Sequence, residues 1–425
     1  MGQPDADSTM RTVLWFRLLV ISCVLAGCLA GAAGAATLGN DWKERAPEEG
    51  PYLGVMITPD ASLVYAGGGP EMFVRSWDRE IHWGSRPARV AALSEDGNRV
   101  VIGVGNKLSV LDNKGIENWS RTMDGYVRAV AISPNGSFII SANDKGDYIS
   151  WGKDGEFTAR LTNQTANTLA VAPRGDLVVA ATDNGLRFYT SRLELIWYDN
   201  RTESRDTFIA ISGDGSSVIV AGANQVASYT RDGTLNWRKE ITTDPIIDMH
   251  CSSDCSVIIV AGQDKEIVAI DRYGTVHWKY QVGQWVNAVG VSQDASVIAA
   301  GGIDRTVYVL DRSGTLIAQK KTDAIIQPRS IAVSRDGRRI VVADQMNLYG
   351  FSLVGDTVAP GVTGISTRTP LNPVPTTNPV TMTAISPVLS TMTTIPSPSA
   401  TYSPVNLILL VPALGAAVLL CRRVR

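Results

Sequence analysis

Three stretches, VRAVAISPNGSFIISA (residues 127–142), VNAVGVSQDASVIAAG (286–301) and SIAVSRDGRRIVVAD (330–344), are one phrase written three times. Each joins a short run of small and β-branched residues to a second apolar run through a turn centred on Asp or Asn. Such a turn supplies the left-handed backbone position that a tight hairpin needs. Along the chain the turn centres fall at Asp60, Asp96, Asn135, Arg174, Asp214, Asp254, Asp294 and Asp336, with successive differences of 36, 39, 39, 40, 40, 40 and 42. A near-constant spacing over seven intervals establishes a repeat architecture before any single residue is interpreted.

Each unit continues past its hairpin. A third strand ends in Asp or another polar residue, as in Thr306 to Asp311, and a Gly turn leads to a fourth strand that often carries Trp, as in Gly233 to Trp237. Four antiparallel strands in about 40 residues is the pattern of a β-propeller blade, and no unit holds the 3.6-period run of a helical repeat. There are eight first strands, but the eighth unit stops after its third strand at Phe351-Ser352-Leu353. The missing strand is predicted at the other end of the body, where LGNDWKER (38–45) is similar to NWRKE (236–240). The expected fold is therefore all-β, an eight-bladed β-propeller over residues 37–356 closed by an N-terminal strand, which removes the open sheet edge.

Composition agrees and excludes several functions. With 39 Lys+Arg against 41 Asp+Glu the formal net charge is -2, so no global field draws in nucleic acid. Thirty-nine Gly and 20 Pro suit a turn-dense β protein. The three His (His82, His250, His277) and the two body Cys (Cys251, Cys255) speak against a multi-histidine metal centre and a disulfide-dense scaffold. No cofactor and no metal are expected.

The two ends read as addresses. Residues 1–36 form an export signal: basic residues, an apolar stretch from Leu18 to Leu29 and an A-x-A pattern at Ala33 to Ala35. Within it Leu25-Ala26-Gly27-Cys28 resembles a lipoprotein lipobox, so lipidation of Cys28 stays open. Residues 357–404 hold 27 Ser, Thr or Pro in 48 positions and one charged side chain, Arg368, the composition of a disordered stalk. Residues 405–421 are largely apolar and span about 25 Å as a helix, enough for a C-terminal transmembrane helix at the short end of the range. The basic tail, 422–425, places the stalk and propeller outside by the positive-inside rule. This layout resembles archaeal and bacterial cell-surface proteins anchored in the cytoplasmic membrane. Sequons at Asn118, Asn135, Asn163 and Asn200 fit exposed loops of an exported chain.

The segments DNKGIENW (112–119) and DRYGTVHW (271–278) resemble the tryptophan-docking motif of eight-bladed quinoprotein-dehydrogenase-like propellers, and the turn series is also similar to WD40 repeats. The resemblance covers roughly residues 38–353. It implies that Trp42, Trp83, Trp119, Trp197, Trp237 and Trp278 dock between adjacent blades; blades 3 and 7 carry Ala159 and Ala318 at that column. It also implies, for the enzymes of that group, a calcium ion, an Asp base and a disulfide between adjacent Cys, a set this sequence does not offer. A recurring Asp column (Asp144, Asp183, Asp264, Asp304, Asp344) reads as turn capping or as calcium ligation.

Repeats differ where something has been added to the scaffold. The column at the start of the inner strands reads Leu53, Arg89, Arg128, Asn167, Thr207, Ile247, Asn287 and Arg329, with Tyr126 and Trp285 beside it. Arg89, Arg128 and Arg329 come from blades 2, 3 and 8, on one arc of the ring. They form either salt bridges to neighbouring Asp turns or, with Tyr126 and Trp285, a face that binds an anionic or carbohydrate ligand at the channel mouth. Cys251 ends an inner strand and Cys255 takes the Gly position of its turn, which predicts a disulfide in an oxidising compartment. The sequence as a whole predicts a non-enzymatic cell-surface scaffold that binds an envelope protein or glycan. An envelope-assembly lipoprotein and a quinone-dependent dehydrogenase are the alternatives.

Overall fold

The computed structural model describes residues 36–46, 52, 54–67, 72–83, 88, 90–200 and 207–355, with residues 81–83 as backbone only. The export segment, stalk, membrane segment and basic tail lie outside the described residues. Among the described residues, 32 strands form eight antiparallel four-stranded sheets. Seven are built from consecutive strands: blade 1 (Gly54–Trp83), blade 2 (Val90–Thr122), blade 3 (Val127–Leu161), blade 4 (Thr168–Asp199), blade 5 (Thr207–Glu240), blade 6 (Ile246–Gln281) and blade 7 (Val286–Lys321). Blade 8 takes three strands from Ile326–Val354 and its outer strand, Thr37–Arg45, from the start of the chain. The register runs from Thr37↔Val354 to Arg45↔Asn347, so the ring is closed by hydrogen bonds between segments some 300 residues apart. No helix among these residues is long and apolar enough to cross a membrane.

The hairpin turns explain why the repeat reads so clearly. In blade 5, Ser212 Oγ donates to Asp214 Oδ1 (2.6 Å) and accepts from the Ser217 N–H (3.0 Å), while the Ser216 N–H donates to the same carboxylate (3.0 Å). The Ser212 hydroxyl and the two Ser216 donors lower the Asp214 carboxyl to about 2. The same Ser/Asp arrangement recurs at Ser94/Asp96, Ser252/Asp254, Ser292/Asp294 and Ser334/Asp336.

A second recurring device is a bulge in each outer strand. The extra residue is Asp41, His82, Asn118, Thr158, Ile196, Asn236, His277 or Ile317, in each blade one place before the docking column. A bulge re-aims the side chain that follows it. In four blades that side chain is a Trp laid against the Gly turn of the next blade: Trp119 on Gly155, Trp197 on Gly233, Trp237 on Gly274 and Trp278 on Gly314. A Cβ at Gly274 would stand 2.8 Å from the Trp237 ring, and the backbone there has φ +73°, so the turn needs glycine on both counts. The indole N–H of Trp119, Trp237 and Trp278 donates to the carbonyl of Lys153, Arg272 and Arg312 respectively, at 2.7 to 2.9 Å. Trp42 occupies the equivalent place in blade 8. It meets Trp77 edge-on at 5.5 Å, and its N–H finds no acceptor among the described residues. The backbone of Trp83 pairs with Val74; its side chain lies outside the described residues.

Candidate functional site: the central channel and its mouth

The inner strands surround a channel, and their starts carry the column that the sequence singles out. Arg128 is the bulge residue of the blade 3 inner strand, exposed, with Asp144 3.9 Å away. Ile247 and Asn287 are the matching bulge residues of blades 6 and 7. Asn167 donates to Asp183 (2.9 Å), and Asn287 to the Ile326 carbonyl (2.9 Å). Tyr126 and Trp285 immediately precede the inner strands of blades 3 and 7 and are 63% and 43% exposed. Arg89 and Leu53 lie outside the described residues.

The Asp column ties loops together. Asp144 accepts the Tyr126 N–H (2.8 Å), Asp264 that of Glu266 (3.2 Å), Asp304 that of Thr306 (2.9 Å), and Asp344 those of Met346 and Asn347 (2.7 and 2.6 Å). Oxygens committed to N–H donors in this way cap turns. Among the described residues no three His, Cys, Asp or Glu are grouped so as to hold a metal ion. Cys251 and Cys255 face each other across the blade 6 turn as thiols, with their sulfurs 2.7 Å apart.

Blade 8 departs from the rest. Its inner strand pairs Ile326 with Asp344 and then Ile331 with Val342, so four residues, Gln327 to Ser330, stand opposite Ala343 alone. Blades 3, 6 and 7 have one extra residue there. The two further residues account for the interval of 42 where its neighbours are 40. Ser330 fastens the bulge by donating to the Gln327 and Ala343 carbonyls. Arg329 sits at its tip with φ +57°, a left-handed conformation that disfavours a side chain. Its guanidinium reaches across to blade 5 and stacks on Phe208, 4.8 Å from the ring centre. Thus Arg128 and Arg329 line one cavity of about 690 Å³, whereas Tyr126 and Trp285 are not part of its wall.

Beside Arg329 lies Asp248 of the blade 6 inner strand, 2% exposed. Its two oxygens accept the N–H groups of Met249 and Val289, both at 3.0 Å. Burial raises its carboxyl above the ordinary range, against the pull of His250 and Arg329. In the sequence Asp248 stands out as the partner of His250 in the one His/carboxylate pair on an inner strand, a weak hydrolase signal, and as an acid in an apolar run, Ile246-Ile247-Asp248-Met249.

Comparisons with known proteins agree with the architecture. Residues 218–330 match the model of the lambda-carrageenase β-propeller domain, and residues 118–148 match the WD domain, G-beta repeat. The eight sheets make this a β-propeller, and within it residues 118–148 are similar to a WD40 repeat. Among solved structures the chain is similar to the C-terminal WD40 domain of Sif2 (15% identity, TM-score 0.64, 75% of this chain and 99% of that one). It is similar to Sqt1 of Chaetomium thermophilum bound to the N-terminus of ribosomal protein L10 (15%, 0.59, 74% and 98%). It is also similar to BamB of Moraxella catarrhalis (16%, 0.56, 74% and 99%). At such identities the likeness concerns the fold. No curated protein matches the chain.

Proposed function

We propose that the protein is an exported, membrane-anchored propeller whose ring serves as a rigid, non-enzymatic platform for an envelope protein or a glycan. The observation that carries this reading is that two large aromatic side chains stand exposed where inner strands begin, Tyr126 two residues before Arg128 in blade 3 and Trp285 in blade 7. Both rings stay far more open than the docking residues Trp42 and Trp119, and exposed aromatics are typical of binding faces. By the repeat, Arg89 belongs to the same rim. Two comparisons support the reading without deciding the ligand. One propeller of this fold holds the end of a ribosomal protein, and the matched family model is named for an enzyme of carrageenan. The export signal, stalk, apolar segment and basic tail support an anchored, outward-facing ring.

A photo-crosslinking residue placed at Tyr126 or Trp285 of the full chain in its own cells is expected to capture a defined protein or polysaccharide. The same residue at Ile116, exposed on the outer rim of blade 2, is expected to capture neither. Equal capture from both places would remove the rim as the ligand face. Protease added to intact cells should release the propeller by cutting within 357–404; release only after lysis would reverse the orientation.

A further inference from the structure

The interior of the channel differs in chemistry from its mouth. Partly buried side chains of the inner strands include Met56, Leu93, Val130, Val171, Ile209 and Val333, from six different blades. Each lines one of two cavities, of about 690 and 430 Å³. Aliphatic side chains facing a water-filled bore gain nothing from water, and in concave sites of this size they are the usual contact for the apolar part of a ligand.

Into this wall the chain inserts the Arg329 cation by a dedicated device. Val55, Met56, His250 and Arg329 line both cavities, so the Arg329 guanidinium stands where the two meet. It is exposed to the channel, and among the described residues it makes no hydrogen bond or ion pair; Phe208 holds it by its face. Seven blades are built without this bulge, so assembly of the sheets does not require it. A left-handed, non-glycine residue on an insertion found in a single repeat is a local expense of the kind that function maintains. The five N–H donors of the fork match a carboxylate in bidentate fashion. Arg128 of the same cavity has Asp144 3.9 Å away, so among the described residues Arg329 is the guanidinium left to pair with a single carboxylate.

We propose that the channel binds a small amphipathic monocarboxylate, with its head on Arg329 and its apolar body against the aliphatic wall. The site shares Arg128 with the rim but takes its ligand on Arg329, and it does not rest on the scaffold reading. The full chain, reconstituted in lipid nanodiscs, is titrated calorimetrically with 4-phenylbutyrate, with empty nanodiscs as the blank. Saturable one-to-one binding is expected, with 4-phenylbutanol and inorganic phosphate each at least tenfold weaker. Arg329→Gln should weaken phenylbutyrate at least tenfold. Ala91→Phe, which fills the larger cavity from blade 2 and leaves Arg329 untouched, should do the same. Melting curves identify a variant that fails to fold, and either variant suffices if the other fails. No saturable binding by the native chain, native affinity in a folded variant, or phosphate binding as tightly as phenylbutyrate would overturn the proposal. Crosslinking at Tyr126 and Trp285 would be unaffected by that failure, so the two readings fall separately.

Discussion

The seam between blades 5 and 6 and the seam between blades 8 and 1 solve one problem in two ways. In the first, Trp237 lies on a glycine turn and donates to a carbonyl, a contact made entirely between near neighbours in sequence. In the second, the turn that should receive Trp42 has Arg79 (φ +73°) at the glycine place, and Trp77 from that turn supplies the contact instead. The Trp77 N–H donates to Asp41 (2.9 Å), the bulge residue of the N-terminal strand, and the buried Arg75 pairs with Glu44. Both seams use directed hydrogen bonds, and the closing seam adds a buried ion pair, a device that the seam between blades 4 and 5 shares through Arg238 and Asp199 (2.7 Å). The closing joint differs in that its partners meet across the whole ring, so its contacts also fix register.

The largest expected effect follows from removing that joint. Deleting residues 37–45 opens the edge of the Asn347–Val354 strand, removes the buried Leu38 and Trp42 from the core, and leaves the Arg75 guanidinium, its side chain 4% exposed, without Glu44. Burial of two large apolar side chains is worth about 2 kcal/mol each, and a stranded buried charge costs about 3–5 kcal/mol. Together these approach the whole margin of an ordinary domain. Calorimetry should show loss of the cooperative transition or aggregation. A melting curve like that of the intact chain would mean that the ring does not depend on this closure.

A third seam tests the pairing of ring and turn. Blade 3 has Ala159 at the docking column, and the turn of blade 4 that should receive a Trp has the buried Leu193 (φ +61°) in place of glycine. Ala159 packs against the cluster that contains Leu193, so the leucine fills the volume that an indole takes elsewhere. Ala159→Trp alone is expected to destabilise by about 1–3 kcal/mol through overpacking, and Leu193→Gly alone by about 2–5 kcal/mol through a cavity. The double variant recreates the Trp-on-glycine contact and should recover at least 1 kcal/mol over the sum, measured by denaturant unfolding. Simple additivity would show that the two positions are not a matched pair. Ala318 of blade 7 obeys the same logic: the outer strand of blade 8 arrives from the N-terminus, and Ala318 packs with Ala36, Leu38 and Leu353 instead.

Local contacts wrote the blade count, the closing strand and the docking column into the sequence, because each repeats at a fixed spacing. The interval of 42 before Asp336 marked blade 8 as longer but could not show where the extra residues go. Arg329 and Arg128 share a column in sequence, yet the bulge carries Arg329 across the bore to Phe208, a contact between blades three apart that no repeat alignment contains. Asp248 was legible as an acid in an apolar run, two residues before His250. Its burial beside Arg329 depends on the closed ring. Patterns of period 40 report what each blade does alike, and the channel is formed by what single blades do differently.

The smallest effect separates blade 6 from its neighbours. Cys255 adopts φ +51° at the place where blade 3 has Gly136 (φ +67°), and Cys251 ends the strand before it. A disulfide between them closes a loop of about five residues, far shorter than the roughly 15 that give about 3 kcal/mol, so about 2 kcal/mol is the ceiling expected, a shift of a few degrees at most. Blade 3 makes the same turn without a bridge, which is why the gain is small. Labelling must be designed around the thiols' own chemistry. The Cys255 contact and burial hold the Cys251 thiol well above its ordinary range, so a free pair would also resist alkylation in the folded chain. The chain should therefore be denatured without reductant, alkylated, and weighed intact. We expect no label at Cys251 or Cys255 until reductant is added; two labels on the unreduced denatured chain would show that blade 6 holds its turn with thiols, as the other blades hold theirs without sulfur.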